Sequence, residues 1–575
     1  MPRSSRNDGR SSGELPPRAR SLVLSSRGGP GQRTTWQMTG CMGREHGAGM
    51  LKSDTASRLI PTGVSGLDEV LFGGVTRNNI ILVEGAPGTG KTTLGLGFIH
   101  AGARRFDEPG VIVTFELSPQ KLLRDARGYD WDFEELERQR KVKILYTSPS
   151  VLMDELQSTD GVLASEIAAL GAKRLLIDGL TPLQLLAQSR HQRSYRESLH
   201  LLVEGLQRLG ITALLTREIE GPGPEETSHA HERFVCDTII TLGTQRRRRG
   251  MLRTLEVVKS RGQEFLTGQH TLRIEAGHGI QVYRRSQSRP HAFVDQPTSM
   301  ERVSSGCPAL DGLMQGGLYR GSVTLTVGIS GTGKTVSAVQ FLTDGAKRGE
   351  RGLLVTLDEH PQQLIRNAAT LGLDLAGPLA QEKLFIHYES PLELELDVHF
   401  DRIARLVEQH HIQRVVLDSV AAYEAASPEE ATDFMYALAT YLKRRLCTVM
   451  CNYESPELLG VSQISENLKA SHLVDNIILF NYVEVSTRLR RAITIPKVRG
   501  SKNVQKTREY VIGQGGISLL DEDSGEAAAL PEVPQLPFSS YYGLLSRSPA
   551  RQSPVIETAL QDGGHLPRSP RIPKE

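Results

Sequence analysis

The sequence predicts an α/β fold made of two tandem copies of one domain, each a mostly parallel sheet flanked by helices. Three observations carry this prediction. Landmarks repeat at a spacing near 240 residues, short apolar segments alternate with amphipathic ones, and a glycine-rich loop falls at the same place in each repeat.

Thr62-Gly63-Val64-Ser65-Gly66-Leu67-Asp68, followed by Gly73-Gly74, returns as Ser305-Gly306-Cys307-Pro308-Ala309-Leu310-Asp311, followed by Gly316-Gly317, at an offset of 243. The same offset relates Lys91 to Lys334. Asp178 returns as Asp418 at 240, and Lys259-Ser260-Arg261-Gly262 as Lys497-Val498-Arg499-Gly500 at 238. An offset held this closely places one domain over 57–290 and a second over 291–520. Within the first, segments 80–84, 110–115, 174–177 and 212–216 read as buried strands, and 195–209 as an amphipathic helix. Strands separated by helices pair in parallel and are covered on both faces.

The ends differ from the middle. Residues 1–56 are rich in Arg, Ser and Gly without a period and read as a disordered basic arm, in which Met38, Met42 and Met50 each offer an alternative start. Residues 521–575 hold 8 of the 29 prolines and read as a flexible Pro/Ser-rich tail. No apolar run approaches the roughly 20 residues that span a bilayer, and the arm has no apolar stretch of the secretory kind. Five cysteines in 575 residues (Cys41, Cys236, Cys307, Cys447, Cys451) form no disulfide framework. The expectation is a cytoplasmic protein with reduced core cysteines and no membrane contact. Net charge is +2, but residues 1–52 hold nine Lys/Arg against three Asp/Glu, so the rest is near −4. An obligate nucleic-acid binder needs a basic footprint, which this balance does not supply.

The chemistry is concentrated in a motif that occurs twice. Gly85-Ala86-Pro87-Gly88-Thr89-Gly90-Lys91-Thr92-Thr93 and Gly328-Ile329-Ser330-Gly331-Thr332-Gly333-Lys334-Thr335-Val336 each match GxxxxGK[ST] between a strand and a helix. Such a loop curls so that backbone N–H groups and a helix N-terminus face phosphate oxygens. Lys91 and Lys334 supply charge to the outer phosphates, and Thr92 and Thr335 a hydroxyl for Mg²⁺. ATP and Mg²⁺ are therefore the expected cofactors. Asp178 and Asp418 end apolar strands where a carboxylate completes the metal shell. Glu116, and Asp358 with Glu359, stand at the end of the strand after each P-loop, where a carboxylate can deprotonate a water or hydroxyl beside the γ-phosphate. Either of Asp358 and Glu359 could be that base.

With these residues the chain resembles the RecA-like ATPases of the KaiC type, the bacterial circadian clock protein and its wider relatives, over about residues 57–520. The resemblance rests on the Gly-Leu-Asp…Gly-Gly lead-in, the paired P-loops, the acids after the second strand and the closing Lys-x-Arg-Gly. It implies two tandem RecA-like P-loop NTPase domains, stacked as two rings of a homo-hexamer with ATP at subunit interfaces. Lys259, Arg261, Lys497 and Arg499 would then act in trans on the neighbour's nucleotide. It also implies regulatory protein partners and an autokinase step on adjacent Ser and Thr residues of the second domain. Here Ser471 matches the first of these and His472 replaces the second, which leaves a single transfer to Ser471. Leu117 stands where the family's first domain has its second acid, which implies slow or altered hydrolysis there.

The leading expectation is a hexameric, Mg²⁺-dependent tandem ATPase that acts as a regulatory switch, with autokinase activity at Ser471. A DNA-dependent motor of the RecA and DnaB type is the alternative. Single-stranded DNA requires basic or aromatic loops, yet 217–233 holds five Glu against two Arg, and 452–469 three Glu against one Lys. A nucleotide-gated protein-binding scaffold shares every motif with the first reading.

Overall fold

Alternating apolar residues explain how each sheet is buried on both faces. Along Ile80–Gly85 (β1), Ile81 and Val83 enter one hydrophobic cluster while Ile80 and Leu82 enter another. Successive side chains of a strand point to opposite faces, so two cores form, one on each side of the sheet. The computed structural model describes residues 58–157, 161–183, 195–219, 230–246, 250–285, 297–454, 473–485, 488–501 and 507–520. The basic arm, the tail, the domain junction at 290, most of the two acidic loops 217–233 and 452–469, and Ser471 lie outside the described residues.

The first sheet continues with Gly110–Thr114 (β2), Val142–Tyr146 (β3), Arg174–Asp178 (β4), Thr212–Glu218 (β5) and Thr238–Arg246 (β6). It closes with Met251–Ser260 (β7), Gln269–Glu275 (β8) and Gly279–Tyr283 (β9). Its order is β9-β8-β7-β6-β1-β5-β4-β2-β3, with β1 to β6 parallel and β7 to β9 antiparallel. The second sheet uses Val323–Gly328 (β10), Gly352–Thr356 (β11), Leu384–Tyr388 (β12), Arg414–Asp418 (β13), Thr448–Glu454 (β14) and Asn476–Val485 (β15). Arg488–Val498 (β16), Arg508–Gly513 (β17) and Gly516–Leu519 (β18) complete it. Read from the equivalent edge, its order is β18-β17-β16-β15-β10-β14-β13-β11-β12, so the two topologies are identical. These are two RecA-like domains, as the repeat predicts. The predicted strand ends lie within two residues of the observed ones, and the helix at Tyr195–Leu209 has the predicted bounds.

The lead-in motifs have a structural job. Asp68 accepts bonds from Thr62 N (2.6 Å), Thr62 Oγ1 (2.6 Å) and Gly63 N (3.0 Å). Asp311 takes Ser305 N, Ser305 Oγ and Ser304 Oγ in the same way. A second matched device is a buried arginine at the start of β4 and of β13. Arg174 pairs with Glu108 (2.6 Å) and donates to the Phe98 carbonyl (2.9 Å), while Arg414 pairs with Glu350 (2.5 Å) and donates to the Phe341 carbonyl (2.7 Å). A buried cation persists when paired and hydrogen-bonded, and here each ties the helix after the P-loop to the central sheet.

Among the described residues Cys236, Cys307, Cys447 and Cys451 are buried free thiols, and no helix is long and apolar enough to cross a membrane. The two domains touch where Arg273 and Thr271 of β8 meet Glu395 and Asp397 (2.9 and 3.0 Å) at the start of helix Leu396–His410.

Candidate functional site

Both glycine-rich loops run from the end of the central strand of their sheet into a long helix, Lys91–Arg105 (α1) and Lys334–Lys347 (α2). The turn requires left-handed backbone at Gly90 (φ 106°) and Gly333 (φ 98°), which glycine adopts without a Cβ clash. Thr89 Oγ1 donates to Ala86 O, and Thr332 Oγ1 to Ile329 O, both at 2.8 Å. Lys91 Nζ donates to the carbonyls of Gly85 and Ala86 at 2.9 Å, and Lys334 Nζ to Ile329 O at 2.8 Å. Burial lowers the pKa of both lysines; Glu218 and Asp178 oppose that shift at Lys91, and Glu454 and Asp418 at Lys334.

The predicted metal groups come together in each copy. Thr92 Oγ1 lies 3.1 Å from both oxygens of Asp178, and Thr335 Oγ1 donates to Asp418 Oδ2 at 2.8 Å. Burial pushes both carboxyls above their ordinary value, against the hydrogen bonds they accept. Paired hydroxyl and carboxylate oxygens beside a phosphate-cradling loop are the hard donor set that suits Mg²⁺.

The three predicted base candidates differ. Register pairs Thr114 with Asp178 and Thr356 with Asp418, so the residues just beyond these strand ends stand beside that aspartate in each copy. Glu116 is exposed. Asp358 accepts a bond from Ser419 Oγ at 2.7 Å. Glu359 is half-buried, one of its oxygens is buried without a hydrogen bond, and burial together with Asp418 and Asp358 raises its pKa.

The model of the KaiC ATPase family matches residues 60–287 and again 303–524. The chain belongs to the KaiC ATPase family. It is 31% identical over 477 residues to the circadian clock oscillator protein KaiC of Prochlorococcus marinus (strain MIT 9313), covering 81% of this chain and 93% of that protein. To the protein of the same name from Picosynechococcus sp. (strain ATCC 27264 / PCC 7002 / PR-6) it is 30% identical over 507 residues, 86% and 92% of the two chains. The Thermostichus vulcanus protein gives 30% over 524 residues, 88% and 95%.

In this KaiC-type chain the four basic residues lie far from their own P-loops. Lys259 pairs with Ile239 and Lys497 with Ile477, whereas Gly85 and Gly328 are in register with Leu242 and Phe480, three residues further along the same strands. At ~3.3 Å per residue that is about 10 Å toward the amino edge of the sheet. Lys259 Nζ donates there to the carbonyls of Arg233 (2.8 Å) and Cys236 (2.7 Å), and Lys497 Nζ to Val474 O (2.8 Å). Arg261 and Arg499 contact Asp237 and Asp475.

Several site residues were not legible in the motifs. Ser419, Thr216 and Asn452 sit around Asp178 and Asp418: Thr216 Oγ1 donates to Asp178 at 2.7 Å, Asn452 is in register with Asp418, and Ser419 follows it in the chain. Glu84, one residue before the first P-loop, is fully buried and pairs with Arg217 (3.4 Å) and Arg233 (2.6 Å). A charged residue inside an otherwise apolar strand was the available signal.

Proposed function

We propose that the protein is a magnesium-dependent tandem ATPase that assembles as a homo-hexamer and works as a nucleotide-driven regulatory switch for protein partners. Lys259, Arg261, Lys497 and Arg499 carry the assembly reading. They stand at the sheet edge opposite their own P-loops, a position that suits a role on a nucleotide bound by a neighbouring subunit, where added cations neutralise charge on the transferring phosphoryl group.

In each site the P-loop amides and Lys91 or Lys334 bind and orient the phosphates. Mg²⁺ held by Thr92 with Asp178, or by Thr335 with Asp418, would offset charge on the β- and γ-oxygens. In the second domain Glu359 takes the proton from the attacking oxygen, and its raised pKa suits it to that task. With water as nucleophile the products are ADP and phosphate. With the Ser471 hydroxyl of a neighbouring subunit they are ADP and phosphoserine, the serine proton going to the same carboxylate.

The test is light scattering of the purified chain with and without Mg·ATP, combined with phosphate release and intact-mass mapping of wild type and Ser471→Ala. A hexamer that hydrolyses ATP and carries phosphate on Ser471 is the expected result. Hydrolysis with no protein phosphorylation removes the kinase reading. A monomer at full turnover removes the ring and with it the trans role of the four basic residues.

A further inference from the structure

Among the described residues a cluster of ligating side chains lies outside the ATP site, in the second domain. His387 and Glu389 sit at the end of β12, and His399 on the first turns of helix Leu396–His410. One ligand atom from each lies within 4.8 Å of the other two. His399 Nδ1 is 2.7 Å and His387 Nε2 is 3.5 Å from Glu389 Oε2. Ligands at ~2.0–2.1 Å from a tetrahedral zinc stand roughly 3.3 Å apart, so the observed separations bracket the required one.

Two further features favour an ion over a closed polar network. His387 Nε2 is buried and meets Glu389 Oε2 at 3.5 Å, the outer limit of a hydrogen bond, and buried nitrogens are rarely left so weakly bonded. The outer groups are already in place: Arg402 holds the other oxygen, Oε1, of Glu389 at 3.1 Å, and Tyr423 Oη lies 2.9 Å from His399 Nε2. A metal-bound histidine usually presents its second ring nitrogen to such a partner, which fixes tautomer and orientation.

We propose that His387 Nε2, Glu389 Oε2 and His399 Nδ1 form a binding site for a divalent transition metal of the zinc type, with Tyr423 and Arg402 orienting the ligands and a water completing the shell. Binding moves the His399 proton from Nδ1 to Nε2, which then donates to Tyr423 Oη. Two imidazoles and one carboxylate suit zinc better than magnesium or calcium. The first domain has no counterpart, because Leu145 and Thr147 stand where His387 and Glu389 are. The ion would tie the end of β12 to the helix whose Glu395 and Asp397 contact the first domain.

The experiment uses the full chain, freed of metal by chelation, without nucleotide and with excess magnesium. It is titrated with Zn²⁺, bound metal is counted by mass spectrometry after gel filtration, and Co²⁺ is substituted for optical spectroscopy. Zinc is expected at about one per chain, with the visible bands of tetrahedral cobalt. His387→Gln should abolish it and Tyr423→Phe should weaken it by ~10–100-fold, with circular dichroism reporting on folding. If His387→Gln does not fold, Tyr423→Phe decides. No retained zinc, or zinc bound equally well by both variants, overturns the site.

Discussion

The two domains share one topology and one P-loop geometry but differ in what surrounds the P-loops. In the second, Asp358, Glu359 and Asp418 crowd together, Ser419 holds Asp358, and Glu359 is raised by burial and its acidic neighbours. In the first, the single Glu116 is exposed, Leu117 takes the second acid's place, and Gly179 stands where Ser419 does. The first domain instead invests in a buried Glu84–Arg217 pair beneath its P-loop, where the second has Val327 and Tyr453. The difference teaches that a duplicated binding frame tolerates divergent chemistry, because the frame is held by backbone and buried arginines and the chemistry by a few strand-end side chains.

Isolating each site offers the strongest way to break this comparison. With Lys91→Ala silencing the first site, Glu359→Gln should cut phosphate release by about 10²–10⁴-fold. Release from the parent Lys91→Ala should exceed that from Lys334→Ala, and the reverse order would show the first site to be the faster. Because the Glu359 pKa is raised, activity in the Lys91→Ala background should be full at neutral pH and fall with acidification. The loss should begin above the ordinary carboxylate value near ~4.3, and Glu359→Gln should lack that limb.

A smaller effect tests the subunit boundary. With Lys91→Ala again silencing the first site, Arg499→Ala should lower turnover by about 10²–10³-fold, and mixing its subunits with Asp418→Asn subunits should restore part of it, since intact sites then form between chains. No restoration at any mixing ratio would place Arg499 outside the neighbour's site.

The buried pair is tested by denaturant unfolding. Glu84→Ala should destabilise the first domain by about 3–5 kcal/mol, because Arg217 is left buried beside an empty position. Glu84→Val with Arg217→Tyr, which copies the second domain, should recover most of that loss. The smallest expected change is at Ser419. Its replacement by alanine removes one hydrogen bond to Asp358, worth about 1 kcal/mol, and should slow the second site about fivefold while leaving the first unchanged.

Both P-loops, both Thr–Asp pairs and the duplication could be read from the chain, since each depends on residue type at fixed spacing along one strand–loop–helix unit. Arg174 and Arg414 were legible in principle: they recur at the same 240-residue offset as Asp178 and Asp418, four residues earlier on the same strands. Ser419, Asn452 and the partners of Glu84 were not. Their roles arise from contacts between strands that neighbour each other in space while lying tens of residues apart in sequence.

The sequence by itself determined the α/β class, the two copies and the phosphate-binding loops, because glycine spacing and strand alternation act locally. Only the tertiary structure decided which of the acids is crowded, that the Lys-x-Arg residues lie at the sheet edge opposite the P-loops, and that His387, Glu389 and His399 converge. Register between non-adjacent strands and the depth of burial set those properties, and both are consequences of how the whole sheet packs.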